Sequence, residues 1–488
     1  MPNATSAFAL ALTLIAVSPI GAQSTPPDTV RAVAALHETL VDLGPTIGPR
    51  IWPGFRPDTI ATLYVIPHRA KLFAQWRDTL PTGFFPLPAA RGGWTDTRSV
   101  SFPRGRPIAF LSVDSASSAG SVLGLALHEQ FHAFEQAVAQ RGRRFGAGEN
   151  SMLVSTYPSF DAANEAAFAL EGEILARALR ARTRDEAKRI AREFLAVREE
   201  RHARLDSSFV EFETLAELHE GLAQYAMLRG LRELARVDPR RFMASADAET
   251  AGETALLDSL LVVGPRSIRR RFYATGSAIA RLLDWVADPS WKTRLVADNS
   301  TLQQALAQAT DFQGARTVDR PTSDRLRARL AHWRPDAERA VAALDARRRA
   351  QRDSVLALPG VTLVVNPSAL PNGRLDWCSF DPQNVLMMSS GELLHTRMLQ
   401  VCAPGVQIRF DQAVVEDRST GVLRSVIGAG PPALRLTVGG APLSPPTDAR
   451  GVDVTDLRIE GPRVSVTARR ALVERRGTEL RVTPRAAP

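Results

Sequence analysis

The chain has 488 residues, long enough for two or three domains, each with its own core and with no need of a disulfide or metal merely to fold. Hydrophobic residues make up 44% and charged residues 23%, which excludes a disordered or fibrous protein. The net charge is +9, but the basic residues are almost all arginine, with lysine only at Lys71, Lys188 and Lys292. They are scattered among acids rather than clustered, which argues against a nucleic-acid partner.

In chain order, the first feature is an apolar run, Ala7 to Val17, followed by the small residues Gly21 and Ala22. A bilayer span needs about 20 helical residues, so this run is too short to cross one and reads as a signal peptide over 1–22. The mature chain is then expected to begin near Gln23, to be exported to a periplasmic or extracellular space, and to carry no integral membrane segment. Residues 23–118 are rich in Pro and Gly, with strands expected at Thr62–Pro67 and Pro107–Val113. Asp114–Gly120 supplies turn and N-cap residues for a helix over Ser121–Gln140. From Asp161 to Arg352 the Ala-, Leu-, Glu- and Arg-rich sequence predicts almost continuous helix. At Leu358–Pro359–Gly360 the composition switches to Gly, Pro and short Val/Leu/Thr runs, predicting a small all-β domain. The expected division is 23–118, 119–354 and 355–488, an α+β protein with a small N-terminal sheet, an α-rich centre and a β-rich end. The two cysteines, Cys378 and Cys402, both fall in the last segment. An oxidising compartment lets them pair, closing a loop that stabilises by roughly 3 kcal/mol.

Chemistry concentrates in His128-Glu129-Gln130-Phe131-His132, inside the helix predicted after the second strand. Two histidines four residues apart share one helical face and can hold a single ion. Zinc suits neutral imidazole and prefers four ligands in tetrahedral array. Glu129 lies at the edge of that face, where it can hold a water and take its proton. The extended pattern HExxHxxGxxH is excluded, because Glu135 and Val138 stand where Gly and His are required. A carboxylate from a later helix is the remaining third ligand. One source is Glu220, in Leu218-His219-Glu220-Gly221-Leu222-Ala223-Gln224-Tyr225. The other is the nearer segment Asn164–Glu173, through Glu165, Glu171 or Glu173.

HExxH followed by Glu220-Gly221-Leu222-Ala223-Gln224-Tyr225 resembles the thermolysin- and aminopeptidase-like zinc peptidases, the gluzincins. The resemblance covers roughly residues 107–225. It implies a zincin-like catalytic region with Zn2+ on His128, His132 and Glu220, Glu129 as general base, and a peptide or protein substrate. It also implies a tyrosine late in the domain that stabilises the oxyanion, a role that falls to Tyr273 by its order in the chain. Gly221 is expected to let its helix approach the HExxH helix closely. Glu217, one turn before Glu220, is expected to accept the outer N–H of a zinc-bound histidine. His219 is expected to face away from the ion. The remaining histidines, His37, His68, His202, His332 and His395, read as structural. Two further readings stand beside the peptidase: a zinc hydrolase of non-peptide amides, and a binding or scaffolding protein whose zinc site is structural or vestigial.

Overall fold

The computed structural model describes residues 28–486, apart from 67–70, 77–79, 87–97, 103–105, 114–117, 261–267, 382–383, 429–433 and 444–450. The expected signal peptide lies outside the described residues. The architecture is α+β: a helical body with a five-stranded sheet, followed by a C-terminal sheet of thirteen strands.

The first element is a helix that the sequence reading did not anticipate, α1 (Asp28–Ile51). It lies in the Pro- and Gly-rich region and holds Pro45 and Pro49 inside it. Yet Val33, Leu36, Leu40, Ile47 and Ile51 fall at helical spacing and are all buried, so packing of that stripe outweighs the proline penalty. The five-stranded sheet follows: β1 (Thr62–Ile66), β2 (Lys71–Trp76), β3 (Leu80–Pro86), β4 (Arg98–Phe102) and β5 (Arg106–Ser112). Its order is β3-β2-β1-β5-β4, with β1 and β5 parallel and the remaining pairs antiparallel. Both expected strands, β1 and β5, are thus neighbours at its centre. Leu63 and Tyr64 pair with Phe110 and Leu111, and all four are buried, as an inner parallel pair requires.

The sheet delivers the chain into α2 (Ala119–Val138), whose N-cap Ser118 accepts a hydrogen bond from the Ser121 amide. Most of α2 is buried, including every residue of the HExxH motif. Then come α3 (Ala162–Leu179), α4 (Arg184–His202), α5 (Ser207–Ala216), α6 (Leu222–Val237), α7 (Pro239–Asp258) and α8 (Ile268–Val286). Between α5 and α6 the residues Glu217–Gly221 form a π-helical turn, so 207–237 is one continuous helix with a single wide turn inside it. Small residues set how the helices cross. Gly124 of α2 faces Met227 and Leu231, and Gly230 of α6 faces Leu127, which brings α2 and α6 into close contact. One core cluster joins α1 and β1 to α2–α4 and α6–α8, so residues 28–60 share the core of the central helices.

A long helix, Arg320–Leu356, connects the helical body to the C-terminal sheet. Arg348 Nη1 donates to the Met387 carbonyl at 2.5 Å, and Asp345 Oδ1 accepts from the Ser389 amide at 2.9 Å. The sheet has its own core, centred on residues such as Leu363, Phe410, Ile459 and Val466. Cys378 and Cys402 form a disulfide between two antiparallel strands, Asp376–Phe380 and Leu399–Ala403, with their Cα atoms 6.0 Å apart. Among the described residues, no helix is long and apolar enough to cross a membrane.

Candidate metal centre

The four-residue spacing on α2 turns both imidazoles of the motif to one side, with ring centroids 4.8 Å apart. His128 Nε2 and His132 Nε2 are 3.1 Å apart. The π turn brings Glu220 to the same point: its Oε2 lies 3.5 Å from His128 Nε2 and 3.3 Å from His132 Nε2. Three donor atoms from two helices thus converge, and all three residues are buried. Glu220 Oε2 has no hydrogen-bond partner of its own, a costly state for a buried carboxylate oxygen unless a cation answers it. Burial would raise the Glu220 carboxyl, but the two histidines hold it well below the ordinary carboxylate range. The group is a buried His/His/Glu set able to hold a metal ion.

Glu165 and Glu171 are engaged elsewhere. Glu171 is held by Arg198, whose Nε and Nη2 donate to its Oε2 at 2.9 and 2.8 Å, and by Arg201, whose Nε donates to its Oε1 at 2.6 Å. Glu165 is paired with Arg271. Glu173 accepts from the Trp333 indole at 3.0 Å. The arginines that claim Glu165 and Glu171 are buried, so these acids serve as counter-ions inside the helical body.

Two expectations about the neighbours of the candidate ligands are corrected. Glu217 does not reach a histidine of the motif. It accepts from Arg198 Nη1 at 2.8 Å and from Thr275 Oγ1 at 2.5 Å, which ties the π turn to α4 and α8. The outer nitrogen of His132, Nδ1, instead lies 3.3 Å from Glu135 Oε2, one turn further along the same helix. His219 does not face away. Its ring centroid is 4.0 Å from that of His132, and its Nδ1 lies 3.1 Å from the same Glu135 oxygen. The wider π turn separates consecutive side chains by a smaller angle than an α-turn does, so His219 and Glu220 can both face α2.

Gly221 also has a different partner from the one expected. It packs on Gly276 of α8 rather than on the HExxH helix. A Cβ on Gly276 would lie 2.7 Å from the Glu217 carbonyl oxygen and 2.8 Å from Gly221 Cα, both backbone atoms with little room to yield. Gly276→Ala is therefore expected to destabilise the fold by about 1–3 kcal/mol. Urea unfolding reads this directly, and an unchanged midpoint would contradict so close an approach.

Glu129 is buried beside the donor triangle, and its Oε2 has no hydrogen-bond partner. Burial raises its carboxyl above the ordinary value, while the charges of His128 and His132 act in the opposite direction. Tyr273 stacks on His128 with ring centroids 5.7 Å apart and an interplanar angle of 11°. Burial and the Glu220 charge push its phenol far above the ordinary value, so it keeps its proton at neutral pH. Two residues that sequence reasoning missed complete the surroundings. Arg269, one helical turn before Tyr273, donates to Glu220 Oε1 and to Glu149 Oε1. Neither has a spacing signal in the sequence, because Glu149 comes from the loop after α2 and Arg269 from a helix far along the chain.

Tyr225, at the end of the Glu-Gly-Leu-Ala-Gln-Tyr stretch, is a core residue whose hydroxyl donates to Asp284 at 2.6 Å. Away from the centre, His37 lies 2.9 Å from the Tyr64 hydroxyl, His202 2.9 Å from Glu213 and His395 3.0 Å from Glu416, while His332 packs edge-on to Trp333. His68 lies outside the described residues. No family model matches the chain, and comparison with curated proteins and with solved structures found no match.

Proposed function

We propose that this chain is an exported zinc-dependent metallopeptidase that cleaves peptide bonds in a peptide or protein substrate. The observation that carries the reading is the donor triangle, with sides of 3.1, 3.3 and 3.5 Å. Tetrahedral ligands at the zinc distance of about 2.0–2.1 Å stand about 3.3 Å from one another. Two imidazoles with one carboxylate also favour zinc over magnesium or calcium, which prefer all-oxygen ligands. Three protein ligands leave a fourth position open, the mark of a catalytic rather than a structural site.

Zinc, when bound, supplies a Lewis acid for the scissile carbonyl and lowers the pKa of water. Glu129 takes a proton from the attacking water and hands it to the leaving amine, the work of a general base and then a general acid. Its partnerless oxygen beside the ligands supports that role, since a structural site has no use for a buried free carboxylate oxygen. Tyr273 keeps its proton and donates to the developing oxyanion. The disulfide supports an oxidising, extracytoplasmic location.

The test is hydrolysis of a quenched-fluorescence peptide library by zinc-loaded protein, before and after chelation. Cleavage that disappears with chelation and returns with zinc is expected, whereas a library left intact by fully zinc-loaded protein would end the peptidase reading. Tyr273→Phe should lower kcat by roughly 100-fold while zinc stays bound, as for loss of one oxyanion donor. An unchanged kcat would remove Tyr273 from the reaction.

A further inference from the structure

We propose that Arg269 is a positioning residue that restricts Glu220 to ligating through one oxygen, and that Glu149 anchors Arg269 for this task. The proposal rests on the zinc reading above. Glu220 divides its two oxygens between two partners. Oε2 faces both Nε2 atoms of the motif, whereas Oε1 accepts from Arg269 Nη2. The same guanidinium donates through Nε to Glu149 Oε1, so Arg269 is held from both sides. An arginine keeps its charge at any ordinary pH, so the cation persists between the two acids. Both acids are buried, with side-chain exposures of 5% for Glu149 and 6% for Glu220.

A carboxylate can meet a metal through one oxygen or through two. A second oxygen at this centre would fill the position that water or substrate must take. Arg269 engages Oε1 with a charge-assisted hydrogen bond, so two-oxygen ligation would break that bond and leave the half-buried guanidinium with Glu149 alone. The guanidinium fork suits the task because it reaches two carboxylates at fixed geometry, which a lysine ammonium does less well. Arg269 and Tyr273 are four residues apart on α8 and share one face. The helix therefore presents, side by side, the group that orients the ligand and the phenol that stacks on His128.

Cobalt substitution reads the coordination number without any assay of activity. Wild-type protein loaded with Co2+ should show the intense visible bands of a four-coordinate ion. Arg269→Met alone would leave Glu149 as an unpaired buried charge, so the double variant Glu149→Gln/Arg269→Met is the decisive arm. It should show the weak bands of a five- or six-coordinate ion and hold zinc about 10–100-fold less tightly in chelator competition, as for loss of an outer-sphere partner. Arg269→Lys, which keeps a cation near Glu220, should retain the four-coordinate spectrum. A double variant whose spectrum and zinc affinity superimpose on wild type would overturn the positioning role while leaving the zinc reading intact. A wild type that takes up neither cobalt nor zinc would overturn both.

Discussion

Glu129→Gln is expected to lower peptide hydrolysis by three or more orders of magnitude while one zinc per chain stays bound. The amide is nearly isosteric with the carboxylate, and the three donor atoms on His128, His132 and Glu220 do not involve it. What is lost is the proton acceptor for the attacking water. General base catalysis alone contributes about 10²–10⁴-fold, and the same group is also the donor to the leaving amine. Steady-state kinetics on the zinc-loaded variant, with zinc quantified in the same sample, checks the claim. Full activity in that sample would end the catalytic role.

The second large effect separates two acids that the sequence alone left as rivals. Glu220→Ala should reduce zinc occupancy after dialysis against a weak chelator from about one per chain to nearly none, because two imidazoles alone form a poor site. The fold should survive, since Arg269, the cation that Glu220 pairs with, keeps Glu149 as its partner. Glu171→Ala should do the opposite. Metal stays bound, but Arg198 and Arg201 lose their shared counter-ion deep in the helical body, at a cost of about 3–5 kcal/mol. The pH dependence follows from the same network. Burial works to raise the Glu171 carboxyl, yet Arg198 and Arg201 lower it below the unfolded value. Its contribution is therefore present above the unfolded pKa, near 4.5, and is lost as pH falls through the lower folded value. Acid unfolding of wild type should be steep over that range and that of Glu171→Ala shallower. Zinc loss in Glu171→Ala with retention in Glu220→Ala would reverse the assignment.

The parts of the site legible in the sequence were those encoded within one helical turn. His128 and His132 declare their shared face by spacing, and Glu129 comes with them. Glu220 was legible through its local context, Glu-Gly-Leu-Ala-Gln-Tyr, although nothing in the sequence could exclude Glu165 or Glu171. That exclusion is tertiary: it depends on Arg198, Arg201 and Arg271 reaching those acids from other helices. The π turn was not legible either, because it is set by packing between Gly221 and Gly276 and by Glu217 bonding to Arg198 and Thr275. Missing that turn is why His219 was expected to point away and Glu217 toward the histidines. Glu135, Glu149 and Arg269 belong to the same class, ordinary charged residues until the fold brings them to the ligands. At the level of fold, apolar runs gave both central strands of the small sheet. Helix α1 was missed because prolines weigh heavily in a local reading and lightly once a face of Val, Leu and Ile is buried.

X-ray absorption at the zinc edge of the loaded, wild-type protein tests the central claim most directly, because it reads the ligands themselves. A single shell of nitrogen and oxygen at about 2.0–2.1 Å, with the outer scattering of two imidazoles and no sulfur shell, is the result that His128, His132 and Glu220 predict. Protein that holds no zinc after loading, or a zinc ion whose shell contains sulfur or lacks the two imidazoles, would contradict it.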